Sequence, residues 1–291
     1  MKGLIITNPY DYSLANRRKV GRMVSEFENL KVSTEVVAND KFLAYLDKGK
    51  AKADVRADFA LYFDKDKYVA QLLEMCGIRV FNSSQALAVC DDKMQTHIAL
   101  ANCGIPMPTT LAGTLCYNPR GKLQYSYLKQ AADTLDFPLV VKECYGSYGE
   151  QVYLAKTMDE LVLITERIKF KPYIFQQFAA DSAGKDMRVI VIGGKTVCGM
   201  IRQSVNGDFR SNTQLGGKAA ACDVPRDIAL LCERVSKIIG LDYCGVDILL
   251  SSAPMVCEVN SNAMFNAMEQ SSGVNVARKY CEHIIRTVNN A

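Results

Sequence analysis

Histidine is nearly absent from this sequence. The two that occur in 291 residues, His97 and His283, sit isolated on separate predicted helices, which excludes a histidine-built metal centre; both read as structural. No Cys-His or Ser-His pairing stands out, so the signature of a covalent nucleophile is missing too. The eleven cysteines are odd in number, widely spaced and contain no C-x-x-C, which speaks against a zinc ribbon or a paired disulfide framework. They read as small buried apolar residues in a reducing compartment. The familiar nucleotide signatures are lacking as well. There is no G-x-G-x-x-G, and IGGKT fails as a P-loop because the required first glycine is Val189; it reads as a hairpin turn instead.

Strong charge is also missing. The net charge is +4, and the 35 basic residues are scattered apart from the run Arg17, Arg18, Lys19, so nucleic acid is not an expected partner. No apolar run is long enough to span a membrane, and MKGLIITNPYDYS lacks the apolar core of a signal peptide, so a cytoplasmic location is expected.

What is present is a long alternation of strands and helices. KGLIITN, ADFALYFD and IRVFN read as strands, with helices from about Ser13 to Asn29 and over YVAQLLEMCG, so the first 88 residues form a small α/β domain. A second unit, 89–174, opens with the helix of DDKMQTHIALANCGIPMP and contains the strands FPLVVKE and QVYLA. Its last helix opens with Thr157 and Glu160 at capping-box spacing. The third unit, 175–291, holds a hairpin turned by Gly193-Gly194, the helix PRDIALLCERVSKIIG, a second hairpin and a closing helix. Asn206 to Ala220 reads as a flexible stretch.

The second hairpin, GVDILLSSAPMVCEVN, carries the most chemistry. A turn centred between Ser252 and Ala253 places Asp247 opposite Glu258, with Asn260 two residues further on the same face. Val246, Ile248, Cys257 and Val259 then point the other way, into a core. Facing carboxylates repel, and burying an unpaired one is costly, so a positive charge is expected between them. Two carboxylates and an amide oxygen suit a hard cation shared with phosphate oxygens, Mg2+ better than Zn2+ or a caged Ca2+. An acid pair at the sheet rim, solvated or salt-bridged to Lys or Arg, accounts for the same residues, and the hairpin alone leaves both readings open.

Other residues are individually modest signals. Lys142 closes an apolar strand, and Gly146, Ser147 and Gly149 follow in a loop where small residues let backbone N–H groups approach phosphate; a plain turn is the simpler reading. Lys93 taken singly is a solvated lysine at a helix start. Arg202, Arg210 and Asn212 lie beside the expected flexible stretch, and Asp186 with Arg188 reads as an ion pair at a strand rim.

Taken in order, these segments resemble the ATP-grasp superfamily and, within it, the RimK-type carboxylate-amine ligases, from about ADFALYF to the C-terminus. The resemblance implies an α/β (α+β) ATP-grasp fold: an N-terminal Rossmann-like domain and two α+β subdomains that clamp ATP. It implies Lys93 and Lys142 on the nucleotide phosphates beneath a lid carrying Gly146, Ser147 and Gly149. Adenine would be read near Gln176, Gln177 and Phe178, with Asp186 near the ribose. Arg202, Arg210 and Asn212 would meet phosphate and the reacting carboxylate, and Asp247, Glu258 and Asn260 would hold one or two Mg2+, with Mn2+ an acceptable substitute. Two departures stand out: Gln151 occupies the place of a third lid glycine, and SNAMF follows EVN where small residues and a proline are common. The implied activity is ATP-dependent amide formation through an acyl phosphate, joining an amino acid such as glutamate to a small-molecule or peptide carboxylate acceptor. The alternative is a non-catalytic ATP-binding module on the same fold. A homo-oligomer is compatible with either.

Overall fold

A computed structural model of the protein describes residues 1–147, 149–211 and 216–290. The N-terminal layer comprises β1 (Lys2–Thr7), α1 (Leu14–Asn29), β2 (Ser33–Ala38), β3 (Ala44–Asp47), β4 (Lys50–Ala53), β5 (Phe59–Phe63), α2 (Lys67–Met75) and β6 (Arg79–Phe81). Four of its strands form a parallel sheet in the order β2-β1-β5-β6, and β3 and β4 form a separate hairpin that the sequence reading passed over. Phe59 to Phe63 is buried at every position, as a central parallel strand covered on both faces must be.

The second layer runs through α3 (Ser84–Asp91), α4 (Lys93–Leu100), β7 (Thr110–Ala112), α5 (Tyr125–Leu135), β8 (Leu139–Glu143), β9 (Val152–Ala155), α6 (Met158–Ile168) and β10 (Tyr173–Gln177). Its sheet is antiparallel, in the order β7-β10-β8-β9, with α5 and α6 packed over Leu139, Val141, Tyr173 and Phe175. Thr157 caps α6 through Glu160 N, while the Glu160 carboxylate turns back to Lys156 N, one residue earlier than a capping box requires.

The third layer holds β11 (Lys185–Ile192), β12 (Lys195–Gln203), β13 (Lys218–Cys222), α7 (Arg226–Ile239), β14 (Tyr243–Leu249), β15 (Met255–Asn260), α8 (Asn266–Ser272) and α9 (Val276–Asn289). The order is β13-β12-β11-β14-β15, all antiparallel. Gly193 and Gly194 have φ of 55° and 72°, the two positive values that a tight hairpin turn between twisted strands needs. Because β13 begins at Lys218, the stretch expected to be flexible contains the start of an edge strand.

Side-chain alternation divides this sheet in two. Val189, Val191, Val246, Ile248, Val256 and Val259 point to α7 and its residues Ile228, Cys232 and Val235. On the opposite face Ile190, Ile192, Cys198, Met200 and Tyr243 join Ile5, Phe27, Phe59, Phe81 and Tyr280 in one core, which welds the third layer to the first. Asn82 completes the weld. Its amide nitrogen donates to Tyr243 O and Ser261 O at 2.8 Å each, and its oxygen accepts from Asp242 N at 2.7 Å and Tyr243 N at 3.0 Å.

Candidate active site

The face of the sheet that carries Ile190 and Tyr243 into the core becomes polar at the other end of the same strands. Asp186 on β11 lies opposite Arg202 on β12, Arg188 opposite Asp247 on β14, and Asp247 opposite Glu258 on β15. Charges of opposite sign pair across the strands. Arg202 holds Asp186 through Nε to Oδ1 at 2.7 Å and NH2 to Oδ2 at 2.5 Å, and it reaches Asp247 Oδ2 at 3.0 Å. Arg188 forms a two-pronged pair with Asp247 at 2.7 and 2.6 Å. The expected pair between Asp186 and Arg188 does not form; both sit on β11, two residues apart, and each takes its partner from the adjacent strand. Burial pushes the Asp247 carboxyl up, but Arg188 and Arg202 outweigh it and hold the group below the usual carboxylate range.

The facing of Asp247 and Glu258 is the one expected from the hairpin. Cys257 is not where it was expected. The register slips between Asp247 and Ile248, so Ile248 pairs with Val256 and one extra residue is accommodated on β15. Cys257 therefore joins Glu258 on the polar side and lines the cavity instead of packing into the core.

Two lysines come over this face from the second layer. Asp92 caps α4 by accepting from Met94 N and Gln95 N, which fixes Lys93 at the first helical position. Lys93 Nζ is 3.7 Å from Glu258 Oε1, a long ion pair. Lys142 on β8 is 8% exposed, and its Nζ meets the Cys257 sulfur at 3.5 Å. Neither ammonium has a short contact to a carboxylate oxygen among the described residues.

The glycine loop after β8 is tied from both sides. Ser147 Oγ accepts from Lys65 Nζ at 2.9 Å, and Gly149 O accepts from Arg210 NH1 at 2.6 Å. Arg210 is itself held by Asp208, Nε to Oδ1 at 3.0 Å and NH2 to Oδ2 at 2.7 Å. Gln151 braces the loop from within: its Oε1 accepts from Ser147 N at 3.1 Å and lies 2.4 Å from where a Cβ on Gly146 would be. Gly146 itself has φ of 150°, a backbone conformation that strains an L side chain whatever the space beside it, so glycine is required there independently of Gln151.

At the far end, the Gln176 amide nitrogen donates to Thr110 Oγ1 at 2.9 Å and to His97 Nε2 at 3.1 Å. Nε2 must accept there, so the ring is neutral with its proton on Nδ1, which faces Met107 Sδ at 3.2 Å. Burial, aided by the Lys142 charge, lowers the His97 pKa to about 4, which agrees with that tautomer. Phe178 meets Phe209 edge-to-face at 6.2 Å.

One cavity of about 690 Å3 collects these groups. Lys93, Lys142, Gly146, Ser147, Gly149, Gln176, Gln177, Phe178, Asp186, Arg202, Arg210, Asp247, Glu258 and Asn260 all line it. Asn212 lies outside the described residues. Arg188, Lys65 and Phe209 line it too and were not selected from the sequence. Arg188 was discoverable, since period-2 alternation puts it on the face of Asp186; Lys65 and Phe209 carry no local signal.

The donor set fits a hard divalent cation. The Asn260 amide nitrogen donates to Asp247 Oδ2 at 3.3 Å, which leaves its carbonyl oxygen for another partner. Glu258 is half-buried, and its ion-pair partner among the described residues is the distant Lys93. Asp247 Oδ2 is crowded by Arg188, Arg202 and Asn260, but among the described residues Oδ1 receives one hydrogen bond, from Arg188 Nε. Glu258, Asn260 and Asp247 Oδ1 are therefore the oxygens such an ion would use.

Comparison with known proteins identifies the family. A family profile described as RimK-like ATP-grasp domain matches residues 90–284. The chain is 36% identical over 217 residues to beta-citrylglutamate synthase B of Homo sapiens, an alignment covering 74% of this chain and 55% of that protein. It is 34% identical over 226 residues to a probable alpha-L-glutamate ligase of Stenotrophomonas maltophilia (strain K279a), covering 74% and 72%. The chain thus spans about half the length of the human relative it matches. A D-alanine–D-alanine ligase from Bacillus anthracis, solved with ATP, superposes with a TM-score of 0.74 at 18% identity, covering 100% of this chain and 98% of that one. The mixed α/β ATP-grasp fold expected from the sequence is the fold observed, and the chain belongs to the RimK-like ATP-grasp family.

Proposed function

We propose that the protein is an ATP-dependent carboxylate-amine ligase that joins an amino acid, glutamate by analogy with the names of its relatives, to a small-molecule or peptide carboxylate acceptor. The observation that carries the reading is the pair Lys93 and Lys142. Two ammonium groups enclosed over a cavity, one beside a thiol and one beside a distant carboxylate, lack among the described residues the acceptors that burial demands. Triphosphate oxygens supply them.

In this reading the acceptor carboxylate oxygen attacks the γ-phosphorus of ATP, ADP leaves, and an acyl phosphate forms. The amine nitrogen then attacks the acyl carbon, phosphate leaves with its bonding electrons, and the amine gives up a proton. Both steps gather negative charge on oxygen, and the chain's part is to position the reactants and stabilise that charge. Lys93 and Lys142 take the nucleotide phosphates, and the Gly146–Gly149 loop covers them and excludes water from the intermediate. Arg210 and Arg202 face the transferred group, a role the family resemblance extends to Asn212; Asp186 and Asp247 hold Arg202 in a fixed orientation, so it needs no reorganisation as charge develops. Gln176, Gln177 and Phe178 border the adenine end, and Asp186 also lies towards the ribose. One or two Mg2+ or Mn2+ ions on Glu258, Asn260 and Asp247 would neutralise phosphate charge. The three units 1–88, 89–174 and 175–291 would act as the parts of the clamp. The eleven cysteines are free thiols, which supports a reducing compartment such as the cytoplasm.

The test is release of ADP and phosphate by purified protein with ATP, Mg2+, glutamate and a panel of carboxylic acids. Release that requires both an acid and an amine, with hydroxylamine trapping a hydroxamate, is expected. Nucleotide-dependent thermal stabilisation without turnover over the whole panel would replace this reading with the non-catalytic module.

A further inference from the structure

One ammonium ties three separate parts of the cavity wall together. Lys65 Nζ donates to Ser147 Oγ at 2.9 Å and pairs with Asp91 Oδ1 at 3.0 Å. Lys65 comes from the turn between β5 and α2 in the first layer, Ser147 from the glycine loop after β8, and Asp91 from the end of α3, two residues ahead of Lys93. All of these residues line the cavity. The glycine loop and the corner that carries Lys93 are thus fastened to the N-terminal layer through Lys65. That residue lies ahead of the segment the family profile matches, which begins at residue 90.

The turn that presents Lys65 is anchored on both sides of it. Asp64, buried, accepts from Lys65 N at 2.6 Å, Asn8 Nδ2 at 2.9 Å and Asn39 Nδ2 at 3.1 Å. Asp66 caps α2 by accepting from Tyr68 N and Val69 N, and its carbonyl accepts from Tyr62 OH at 2.8 Å. Lys67 follows, with its Nζ 5.9 Å from the Tyr145 ring centroid, so the same turn also meets the base of the glycine loop. With its backbone held in this way the turn is a fixed post, and the glycines at 146 and 149 give the loop the freedom to come to it. The Lys65 side chain is half exposed, so its pair with Asp91 adds little to the stability of the fold. Its use lies in where it holds Ser147.

We propose that Lys65 is a latch: its ammonium, steadied by Asp91, grips Ser147 and holds the glycine loop down over the nucleotide phosphates, so that a residue of the N-terminal layer sets how fast nucleotide leaves the cavity. Lys65 is a positioning residue that acts through Ser147, and its charge is offset by Asp91 instead of being spent on phosphate. The grip on Gly149 O by Arg210, which Asp208 braces, closes the loop from the opposite side. The inference rests on the nucleotide-binding part of the reading above.

The experiment loads wild type, Lys65→Met, Lys65→Arg, Ser147→Ala and the double variant Lys65→Met/Ser147→Ala with mant-ADP and Mg2+, chases with excess ADP in a stopped-flow fluorimeter, and reads the release rate. Lys65→Met releases the nucleotide about fivefold or more faster than wild type, the loss of a hydrogen bond from a charged group at a half-exposed site. Its melting temperature stays within about 2 °C of wild type. Ser147→Ala speeds release to a similar degree, and the double variant exceeds the faster single variant by less than about twofold, because the two side chains act through one contact. Lys65→Arg, which keeps the charge and the reach, recovers most of the wild-type rate. Unchanged release from Lys65→Met overturns the latch. So do effects that multiply in the double variant, since Lys65 would then act on the nucleotide independently of Ser147. Faster release that comes with a melting temperature lowered by more than about 5 °C assigns Lys65 to the fold and overturns it as well. Failure of wild type to bind mant-ADP overturns the nucleotide reading, and the latch with it.

Discussion

Replacing Lys142 by methionine separates the cost of holding a charge from the use made of it. Lys142 Nζ is enclosed at the end of β8, and its hydrogen-bond partner among the described residues is the neutral Cys257 thiol at 3.5 Å. A desolvated ammonium with so weak an acceptor is a net cost to the folded state. Methionine keeps the length and the apolar stem without the charge, so the variant without nucleotide should unfold at a urea concentration no lower than wild type. Nucleotide affinity should move the other way. A hydrogen bond between charged groups is worth about 1.5–3 kcal/mol, which is about 10- to 150-fold in the dissociation constant of ADP-Mg. The Coulomb attraction of two unit charges 4 Å apart is about 4 kcal/mol at an effective dielectric near 20, so the lost binding outweighs any change in stability. Urea denaturation and calorimetric ADP titration on the same preparations check both halves. Stability falling by more than about 2 kcal/mol with ADP affinity barely changed would refute the reasoning and make Lys142 a structural residue.

Asn82→Ala removes four hydrogen bonds that join the N-terminal layer to the third sheet and leaves the buried Asp242 and Tyr243 N–H groups unpaired. A loss of about 3–4 kcal/mol in equilibrium unfolding is expected, and one below about 1 kcal/mol would show that the layers are held by apolar packing alone. His97 is neutral in the fold, with a pKa lowered to about 4 from an ordinary 6.5, so the unfolded chain takes up the proton first as pH falls. Its contribution does not vary above 6.5, and stability is lost as pH drops towards 4. Between pH 6.5 and 5 the loss is about 1.5 kcal/mol, which His97→Gln should remove; an identical pH dependence in the variant contradicts the assignment. Glu258→Gln keeps the shape of the hairpin and removes a charged oxygen from the cation set. The Mg2+ concentration needed for half-maximal nucleotide-dependent stabilisation should rise about tenfold or more, and an unchanged requirement would exclude Glu258 as a ligand.

The hairpin was legible because a turn and a period of two are local properties. Asp247 and Glu258 face each other, and Val246, Ile248 and Val259 are buried, as alternation demands. Cys257 was misread because a one-residue bulge reverses alternation, and no residue in MVCEVN announces it. The partner exchange of Asp186 and Arg188 was equally hidden, since it depends on which strands flank β11, a matter of topology. β2, β3, β4 and β13 were missed because they are short and bury no residue fully, so no strong apolar face marks them. Lys19 was hardest of all. In the run Arg17, Arg18, Lys19 nothing local distinguishes the buried residue from its exposed neighbours, and only the arrival of Phe63 and Asn262 from distant chain segments encloses it.

The most direct test of the account is a crystal structure with ADP and Mn2+, read by the anomalous signal of the metal. The expected result is manganese bound by Glu258, Asn260 and Asp247 Oδ1, with Lys93 and Lys142 within hydrogen-bond distance of the diphosphate. Metal away from these three side chains, or a nucleotide whose phosphates touch neither lysine, would contradict it.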